Sequence, residues 1–280
     1  MSAKLITVFG ATGAQGSSVL RSLSQNTTTP FTLRGTTRNS SSASSKTLLK
    51  QVPRLDLVQA DGWDKASMVA AFRGSKGAFV NTNSDDSVFD DPSETRTEVD
   101  LGKIVVEAAI EAGVEILVYS GATSATKTSG GKVANPTFDG MYCLHFLSSY
   151  MLTRDADKYA IGEYAKSTGA FKAVVIVGAG SYFENFLSRD LAPIFGGFPY
   201  TPSEDGALVL RIPSWGGKEE VPFISIEDDF GDIVHGVFLE PENYTGKLVQ
   251  AVSDIRSYAE VVAAFEKSNV QSKSAFTGSH

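Results

Sequence analysis

Residues 4–20, KLITVFGATGAQGSSVL, place three glycines directly after a short apolar run. The run is typical of a buried strand, and the apolar side chains of residues 14–24 recur at helical spacing. Glycines at a strand-to-helix turn let the backbone approach a ligand closely, and the helix N-terminus offers free N–H groups and a partial positive charge. The positions of Gly10, Gly13 and Gly16 therefore predict a pyrophosphate site.

The spacing of these glycines is one residue wider at its start than the usual dinucleotide fingerprint. Glycines also end strands for steric reasons alone, so the spacing by itself is weak evidence. The surroundings favour a dinucleotide, because a strand precedes, a helix follows and a second strand ends about 20 residues later.

The end of that second strand, FTLRGTTR (31–38), indicates which dinucleotide binds. An NAD site normally has an acidic residue here that accepts a hydrogen bond from the ribose 2′-hydroxyl, but this chain has Arg38. The guanidinium presents a fixed fork of donors that suits a 2′-phosphate. A solvated surface charge is the alternative interpretation of Arg38. The sequence thus predicts NADP(H) as the cofactor.

Strands and helices alternate through the first half of the chain. Further strands are expected at 55–61, 76–82 and 114–121, further helices at 65–72 and 94–113, and an exposed serine-rich link at 39–46. Near-continuous apolar strands separated by helices indicate a parallel sheet covered on both faces. With right-handed crossovers, this pattern predicts a doubly wound parallel α/β sheet of Rossmann type.

The second half is less regular. Residues 121–150 are expected to form a long loop, with helices at 155–169, 227–240 and 257–268 and strands at 171–180, 207–213, 220–226 and 246–252. We expect residues 1–178, with 220–240 returning, to form the NADP(H)-binding domain. Residues 179–280 would form a smaller α+β region that closes a cleft, with a loosely ordered tail at 269–280.

Composition excludes several classes of function. A net charge of −7 without any Lys/Arg run argues against direct nucleic-acid binding. Cys143 is the only cysteine, so no intrachain disulfide forms; beside His145 it is a weak candidate nucleophile, and a small apolar packing residue is the alternative. The first residues lack the apolar region of a signal peptide, and no apolar run is long enough to span a membrane. We expect a cytoplasmic protein, or a nuclear one if it acts as a regulator.

The chain resembles the NmrA-like proteins, which are atypical short-chain dehydrogenase/reductases. The motifs VFGATGAQGSSV, TTRN, VYSG, DKYAIGEY and SYFENF carry the resemblance, which runs from about residue 3 to about residue 268. It implies NADP(H) binding to a Rossmann domain, with a smaller C-terminal region over the nicotinamide. Many relatives continue beyond the helix at 257–268, so part of the cleft cover is expected to be missing here or to come from another subunit.

The resemblance also assigns residues to parts of the cofactor. Gly10, Thr12, Gly13, Gln15 and Gly16 would line the pyrophosphate, and Arg38 would bind the 2′-phosphate. Asp61 would lie near the adenine, Asn81 is expected to contact the cofactor from the end of the fourth strand, and Lys158 would lie by the nicotinamide ribose. The segment Tyr182, Phe183, Glu184 and Asn185 would flank the nicotinamide and substrate cleft.

Catalytic residues are harder to assign. Lys158 and Ser120 are the candidates, since a lysine that is partly desolvated in a cleft becomes a usable acid or base. From the residues alone, a lysine at the start of a helix, such as Lys158, is more often a solvated residue of the helix face than a catalytic one. The Tyr-x-x-x-Lys pair of ordinary short-chain dehydrogenases is absent, because Arg154 stands where the tyrosine would be. No metal site is expected.

Two functions from different classes follow. The first is an NADPH-dependent reductase of a small aromatic or conjugated metabolite, with Lys158 or Ser120 assisting an oxygen. The second is a redox sensor that binds a transcription factor or signalling protein according to the state of its cofactor. A cofactor-binding relic with neither role is a third interpretation. An oligomer is compatible with the sequence.

Overall fold

The computed structural model describes residues 3–27, 31–91, 93–124, 130, 155–214, 217–268 and 274–279. The chain divides into two compact units. The first comprises Met1–Ala179 and Glu227–Ala251, and the second comprises Gly180–Ile226 and Val252–His280.

The strands and helices of the described residues follow in chain order. The strands are β1 (Lys4–Phe9), β2 (Phe31–Thr37), β3 (Asp56–Gln59), β4 (Gly77–Val80), β5 (Ile116–Ser120), β6 (Ala173–Ala179), β7 (Ser181–Tyr182), β8 (Leu208–Pro213), β9 (Glu220–Ile224), β10 (Leu248–Ala251), β11 (Asp254–Ser257) and β12 (Ser274–Ser279). The α-helices are α1 (Ala14–Ser24), α2 (Ala43–Gln51), α3 (Lys65–Phe72), α4 (Glu98–Glu111), α5 (Asp155–Ser167), α6 (Gly231–Leu239) and α7 (Tyr258–Ser268).

A parallel sheet forms the centre of the first unit. Its described strands follow the order β10-β6-β5-β4-β1-β2-β3, and every pair is parallel. The chain winds outward from β1 to β3 and then returns to place β4 on the other side of β1. The doubly wound sheet of Rossmann type is thereby confirmed. In such sheets ligands bind at the carboxyl ends of the strands where the winding reverses, which here are β1 and β4.

Helices cover both faces of this sheet. On one face α3, α4 and α5 pack in a row, and on the other α1 packs against α6. Successive side chains of β4 point to opposite faces of the sheet, so the strand contacts the helices on both sides. Ala78 and Val80 join the cluster that includes Val105 of α4, whereas the ring of Phe79 meets Phe230, just before α6, at 6.0 Å.

Two predictions in the first unit, one of a link and one of a helix, need correction. The serine-rich stretch expected as a link at 39–46 contains the start of α2, because the hydroxyl of Ser42 accepts a hydrogen bond from the N–H of Ser45 and caps the helix. The helix expected from 94 begins at Glu98, because Thr97 and Asp100 form a capping box.

The second unit contains two small sheets around an aromatic core. One sheet has the order β11-β9-β7, and the other pairs β12 with β8 in parallel. Since β9 lies in this unit, the segment that returns to the first unit is Glu227–Ala251 and not 220–240. The tail expected to be loose includes β12, whose backbone bonds along the whole of β8.

Several predictions fall on residues that are not described. Most of the loop expected at 121–150 lies there, with Cys143, His145 and Arg154. Over the described residues, none of the helices is long and apolar enough to cross a membrane.

Candidate cofactor site

The turn between β1 and α1 requires glycine at two positions. Gly10 has a φ of +78°, and a Cβ there would lie 3.0 Å from the carbonyl oxygen of Asn81. A Cβ on Gly16 would lie 2.2 Å from the carbonyl oxygen of Gly10. The start of α1 therefore packs directly against the end of β1, at the point where the winding of the sheet reverses.

The start of α1 is exposed at Gly13 and Ala14. Gly13 is the exposed N-cap residue, its N–H donates to the carbonyl oxygen of Gly10 at 3.1 Å, and no side chain of the described residues caps the helix. Ala14 is exposed as well, so N–H groups at this helix end are left for a ligand. Thr12 is half-buried in the same turn. Gln15 is buried, so little of it is exposed to a ligand.

Arg38 follows the last residue of β2. Its Nη1 donates to Oδ2 of Asp86 at 2.9 Å. The arginine side chain is 58% exposed, whereas that of Asp86 is 8% exposed. The side chain predicted to bind the 2′-phosphate is thus an accessible guanidinium that one hydrogen bond holds in place.

Asp61 lies beyond β3 and is exposed. Its Oδ1 accepts from the N–H of Trp63 at 3.1 Å, and its own N–H donates to Ser67 Oγ at 3.1 Å. The indole of Trp63 lies under the guanidinium of Arg96 at 4.8 Å and meets the edge of Phe89 at 6.1 Å. Asp61 therefore belongs to an ordered turn at the same edge of the sheet as Arg38.

Lys158, on α5, is buried, and its ammonium group is hydrogen-bonded to two neighbouring residues. Its Nζ donates to Oε1 of Glu98 at 2.8 Å and to the carbonyl oxygen of Thr82 at 2.7 Å, and lies 3.3 Å from Thr82 Oγ1. The hydroxyl of Thr82 donates to the same oxygen of Glu98 and lies 3.1 Å from the hydroxyl of Tyr119. This network, the Lys158 network, ties α5 to α4, to the end of β4 and to β5.

The charges of the network depend on each other. Burial by itself raises the pKa of Glu98, but the Lys158 ammonium and the hydrogen bonds to the carboxylate hold that pKa below its ordinary value. Glu98 is thus a carboxylate beside an ammonium. In this arrangement Lys158 supplies a fixed positive charge, and it would have to give up a partner to act as a base.

Sequence reasoning did not find the partners of Lys158. Glu98, Leu101, Gly102 and Val105 share the buried face of α4 at spacings of three, four and seven residues. A single carboxylate in an otherwise apolar stripe is the signal that could have identified Glu98 as a buried charge in need of a partner.

The other predicted residues lie in separate surroundings. Ser120 ends β5 and is buried, and among the described residues Lys158 bonds to Thr82 and Glu98 and not to Ser120. Asn81 is half-buried at the end of β4, where its carbonyl faces Gly10.

The segment Tyr182–Asn185 belongs to the second unit. Tyr182 is the last residue of β7 and pairs with Ile224, while the ring of Phe183 stacks on that of Phe223 at 4.8 Å. Glu184 accepts a hydrogen bond from Ser225, and Asn185 is half-buried in the 3-10 turn that follows β7. Part of the aromatic surface expected to face a substrate is therefore used in the core of this unit.

A small cavity of about 120 Å³ lies at the carboxyl end of β5, beside α5. Tyr159, Gly162 and Lys166 of α5 line one side, and Thr123 and Leu248 line the other. Among the described residues, no three His, Cys, Asp or Glu side chains are grouped so that they could hold a metal ion.

Known proteins share this architecture. The family model described as NmrA-like family matches residues 2–143 and 151–275. The crystal structure of NmrA, a negative transcriptional regulator, in complex with NADP has a TM-score of 0.74 and is 21% identical, over 100% of this chain and 75% of that chain. At that identity the likeness concerns the fold.

Sequence relatives are much closer. The NmrA-like family domain-containing oxidoreductase lnaB of Aspergillus flavus is 45% identical over 262 residues, covering 94% of this chain and 72% of the relative. The oxidoreductase FrzB of a Cladobotryum species, described in the same words, is 44% identical over 266 residues, covering 94% of this chain and 73% of the relative. With the family model matched along most of its length, this chain belongs to the NmrA-like family.

Proposed function

We propose that the protein is an NADP(H)-dependent oxidoreductase that reduces a small aromatic or conjugated metabolite. The observation that carries the proposal is the exposed start of α1 at Gly13 and Ala14, which the glycines at 10 and 16 allow to pack against β1 where the winding of the sheet reverses. A pyrophosphate suits this turn, because Gly16 lets α1 pack closely against the end of β1 and the exposed helix end at Gly13 and Ala14 offers N–H groups. Relatives named as oxidoreductases support the same activity.

The chain's own residues would hold the cofactor at separate points. Gly10, Thr12 and Gly13 would bind the pyrophosphate, Arg38 the 2′-phosphate, and Asp61 the adenine side. The exposed guanidinium of Arg38 supports the choice of NADP(H), since it offers donors at the end of β2 and no acidic residue occupies its position in the sequence. Asn81 would approach the cofactor from the adjacent strand.

NADPH supplies a hydride when it is bound. The Lys158 network pairs an ammonium with a carboxylate and so carries no net charge, and it would serve to fix the ends of β4 and β5 beside the substrate. Ser120 would be the remaining hydroxyl donor. Because Lys158 is engaged by Glu98 and Thr82, a substrate whose conjugation spreads its negative charge suits the site best, since it needs the least help from an acid.

The proposal is tested first by cofactor binding. Calorimetry with NADPH, NADP+, NADH and NAD+ should give clearly tighter binding of the phosphorylated forms, and Arg38→Ala should remove that preference. Arg54→Ala, at an exposed arginine before β3, is the matched control and should leave it unchanged. Failure of all four dinucleotides to bind would refute the proposed site. If NADPH binds, turnover of enones or quinones with NADPH would support the reductase assignment.

A redox sensor is the second candidate, and the engagement of Lys158 is the observation that favours it. A lysine held in a buried ion pair suits a protein that binds a nucleotide without chemistry. A sensor needs a regulatory protein that binds the NADPH complex and the NADP+ complex with different affinities. A regulatory protein that binds both complexes equally would exclude sensing.

A further inference from the structure

Asp86, in the segment after β4, is the structural partner of Arg38. One carboxylate oxygen, Oδ1, accepts from the N–H of Val88 at 3.1 Å, and Asp86 thereby caps the 3-10 helix Ser87–Asp90. The other oxygen, Oδ2, accepts from Arg38 Nη1 at 2.9 Å. Both oxygens are thus committed, one to the backbone and one to the arginine.

The two partners differ in exposure, and this difference indicates which side chain positions the other. Asp86 is 8% exposed and fixed by its own segment, whereas Arg38 is 58% exposed. Separating the pair would leave a buried carboxylate without its cation, which is costly, so the contact is favoured. Because Asp86 is the partner that its own segment fixes, its carboxylate sets the position of Arg38 Nη1.

The segment that carries Asp86 is itself anchored. The N–H of Phe89 donates to the carbonyl oxygen of Asp86 at 2.8 Å, and the ring of Phe89 meets Trp63, which follows β3, at 6.1 Å. The carboxylate is consequently placed relative to the ends of both β2 and β3, the edge of the sheet where the adenosine side of the cofactor is expected.

We propose that Asp86 is a positioning residue for recognition of the 2′-phosphate: it holds Nη1 of Arg38 so that the other guanidinium donors face solvent at the end of β2. This inference rests on the proposed function, in which Arg38 binds that phosphate. A guanidinium has five N–H donors, and the bond to Asp86 uses one of them. Fixing the side chain before binding removes the entropy that a free arginine would lose on meeting the phosphate.

The test measures discrimination between ligands that differ only in the 2′-phosphate. Calorimetry compares NADPH with NADH, and 2′,5′-ADP with 5′-AMP, on wild type, Asp86→Ala, Asp86→Asn and Arg38→Ala. Asp86→Ala should lower the NADPH/NADH affinity ratio about fivefold, a change of the size expected when one arginine must be ordered on binding. Asp86→Asn keeps an acceptor and should lie between Asp86→Ala and wild type, which also covers the case in which Asp86→Ala does not fold.

A second Asp–Arg pair at the same two strands provides a control. Asp56 of β3 pairs with Arg34 of β2 at 2.8 Å, and Asp56→Asn should leave the ratio unchanged. A positioning role also requires that Asp86→Ala has no further effect on the ratio in an Arg38→Ala background, which a general structural defect would not produce.

The outcomes separate the two proposals. If Arg38→Ala lowers the ratio but Asp86→Ala and Asp86→Asn leave it at the wild-type value or raise it, the role of Asp86 is refuted and the 2′-phosphate site stands. A loss that persists in the Arg38→Ala background refutes it as well. If Arg38→Ala does not change the ratio, the proposed 2′-phosphate site is wrong, and the inference about Asp86 is wrong with it.

Discussion

The ammonium nitrogen of Lys158 lies 2.8 Å from a carboxylate oxygen of Glu98, and the two side chains are 7% and 1% exposed. Removing both charges from water is costly, and their attraction repays that cost only when further hydrogen bonds satisfy them. The carbonyl and hydroxyl of Thr82 provide such bonds. The pair therefore makes each member dependent on the other.

Removing one member of this pair should destabilise the fold strongly. Lys158→Met leaves the Glu98 carboxylate buried without its cation and should lower the free energy of unfolding by about 3–5 kcal/mol. The double variant Lys158→Met/Glu98→Leu should recover a large part of that loss, because no buried charge remains. Urea unfolding followed by circular dichroism measures both.

The half-buried pair Lys166–Glu163, also on α5, is the control for this experiment. Lys166→Ala should change the free energy of unfolding by about 0–1 kcal/mol, because water reaches both charges and screens them. If Lys158→Met costs no more than Lys166→Ala, the buried pair does not stabilise the fold as argued.

The same pair predicts how stability depends on pH. The Lys158 ammonium and the hydrogen bonds to Glu98 outweigh the effect of burial and hold the pKa of Glu98 below its ordinary 4.5. A lowered carboxyl pKa stabilises the folded state above the unfolded pKa, and that contribution is lost as pH falls through the folded pKa. The advantage of wild type over Glu98→Gln in urea unfolding should therefore shrink progressively below pH 4.5. An advantage that stays constant or grows on acidification would contradict this.

Burial controls the pKa of His235, whereas the ion pair and hydrogen bonds control that of Glu98. Burial lowers the pKa of His235 below its ordinary 6.5, and the nearby Asp232 only partly opposes it. Ser22 Oγ donates to Asp232 at 2.5 Å and lies 3.1 Å from His235 Nδ1, so in the neutral ring Nδ1–H donates a hydrogen bond to Ser22 Oγ.

The measurement is an NMR titration of the His235 ring, with a midpoint expected below 6.5. Since the unfolded chain then binds more protons than the folded one, His235 should add stability fully above pH 6.5 and lose that contribution as pH falls to the folded pKa. His235→Gln should flatten this part of the stability profile. A midpoint above 6.5 would mean that Asp232 dominates, and the slope would reverse.

Local patterns predicted the elements that depend on local chemistry. The bounds of α1 and α3 agree with the spacing of their apolar residues, and the glycines after β1 indicated the strand-to-helix turn. The start of α2 was missed because the serines of that stretch were interpreted as a polar link, although Ser42 caps the helix.

The contacts that define the candidate site were not predictable in the same way. Glu98 meets Lys158 across 60 residues of sequence, and Asp86 meets Arg38 across 48. The first pair joins the helices α4 and α5, and the second joins the segments after β4 and β2, which lie on either side of β1. Such pairs depend on the order of strands and helices in the fold, which a single sequence does not contain. β12 likewise forms by pairing with β8, which is distant in sequence, and local residue propensities do not predict such a pairing.

Two glycines of the first turn should separate folding from binding. A Cβ on Gly16 would lie 2.2 Å from the carbonyl oxygen of Gly10, which is backbone and moves little, so Gly16→Ala should cost about 1–3 kcal/mol of unfolding free energy. A Cβ on Gly13 would lie 3.4 Å from that oxygen, and its φ of −79° suits alanine, so Gly13→Ala should stay within about 1 kcal/mol of wild type. Its methyl group would nevertheless stand at the exposed start of α1 and weaken NADPH binding about tenfold. Gly236→Ala, on α6 with no atom near its added Cβ, should leave NADPH binding unchanged. Wild-type NADPH affinity in Gly13→Ala would mean that the pyrophosphate does not bind at this turn.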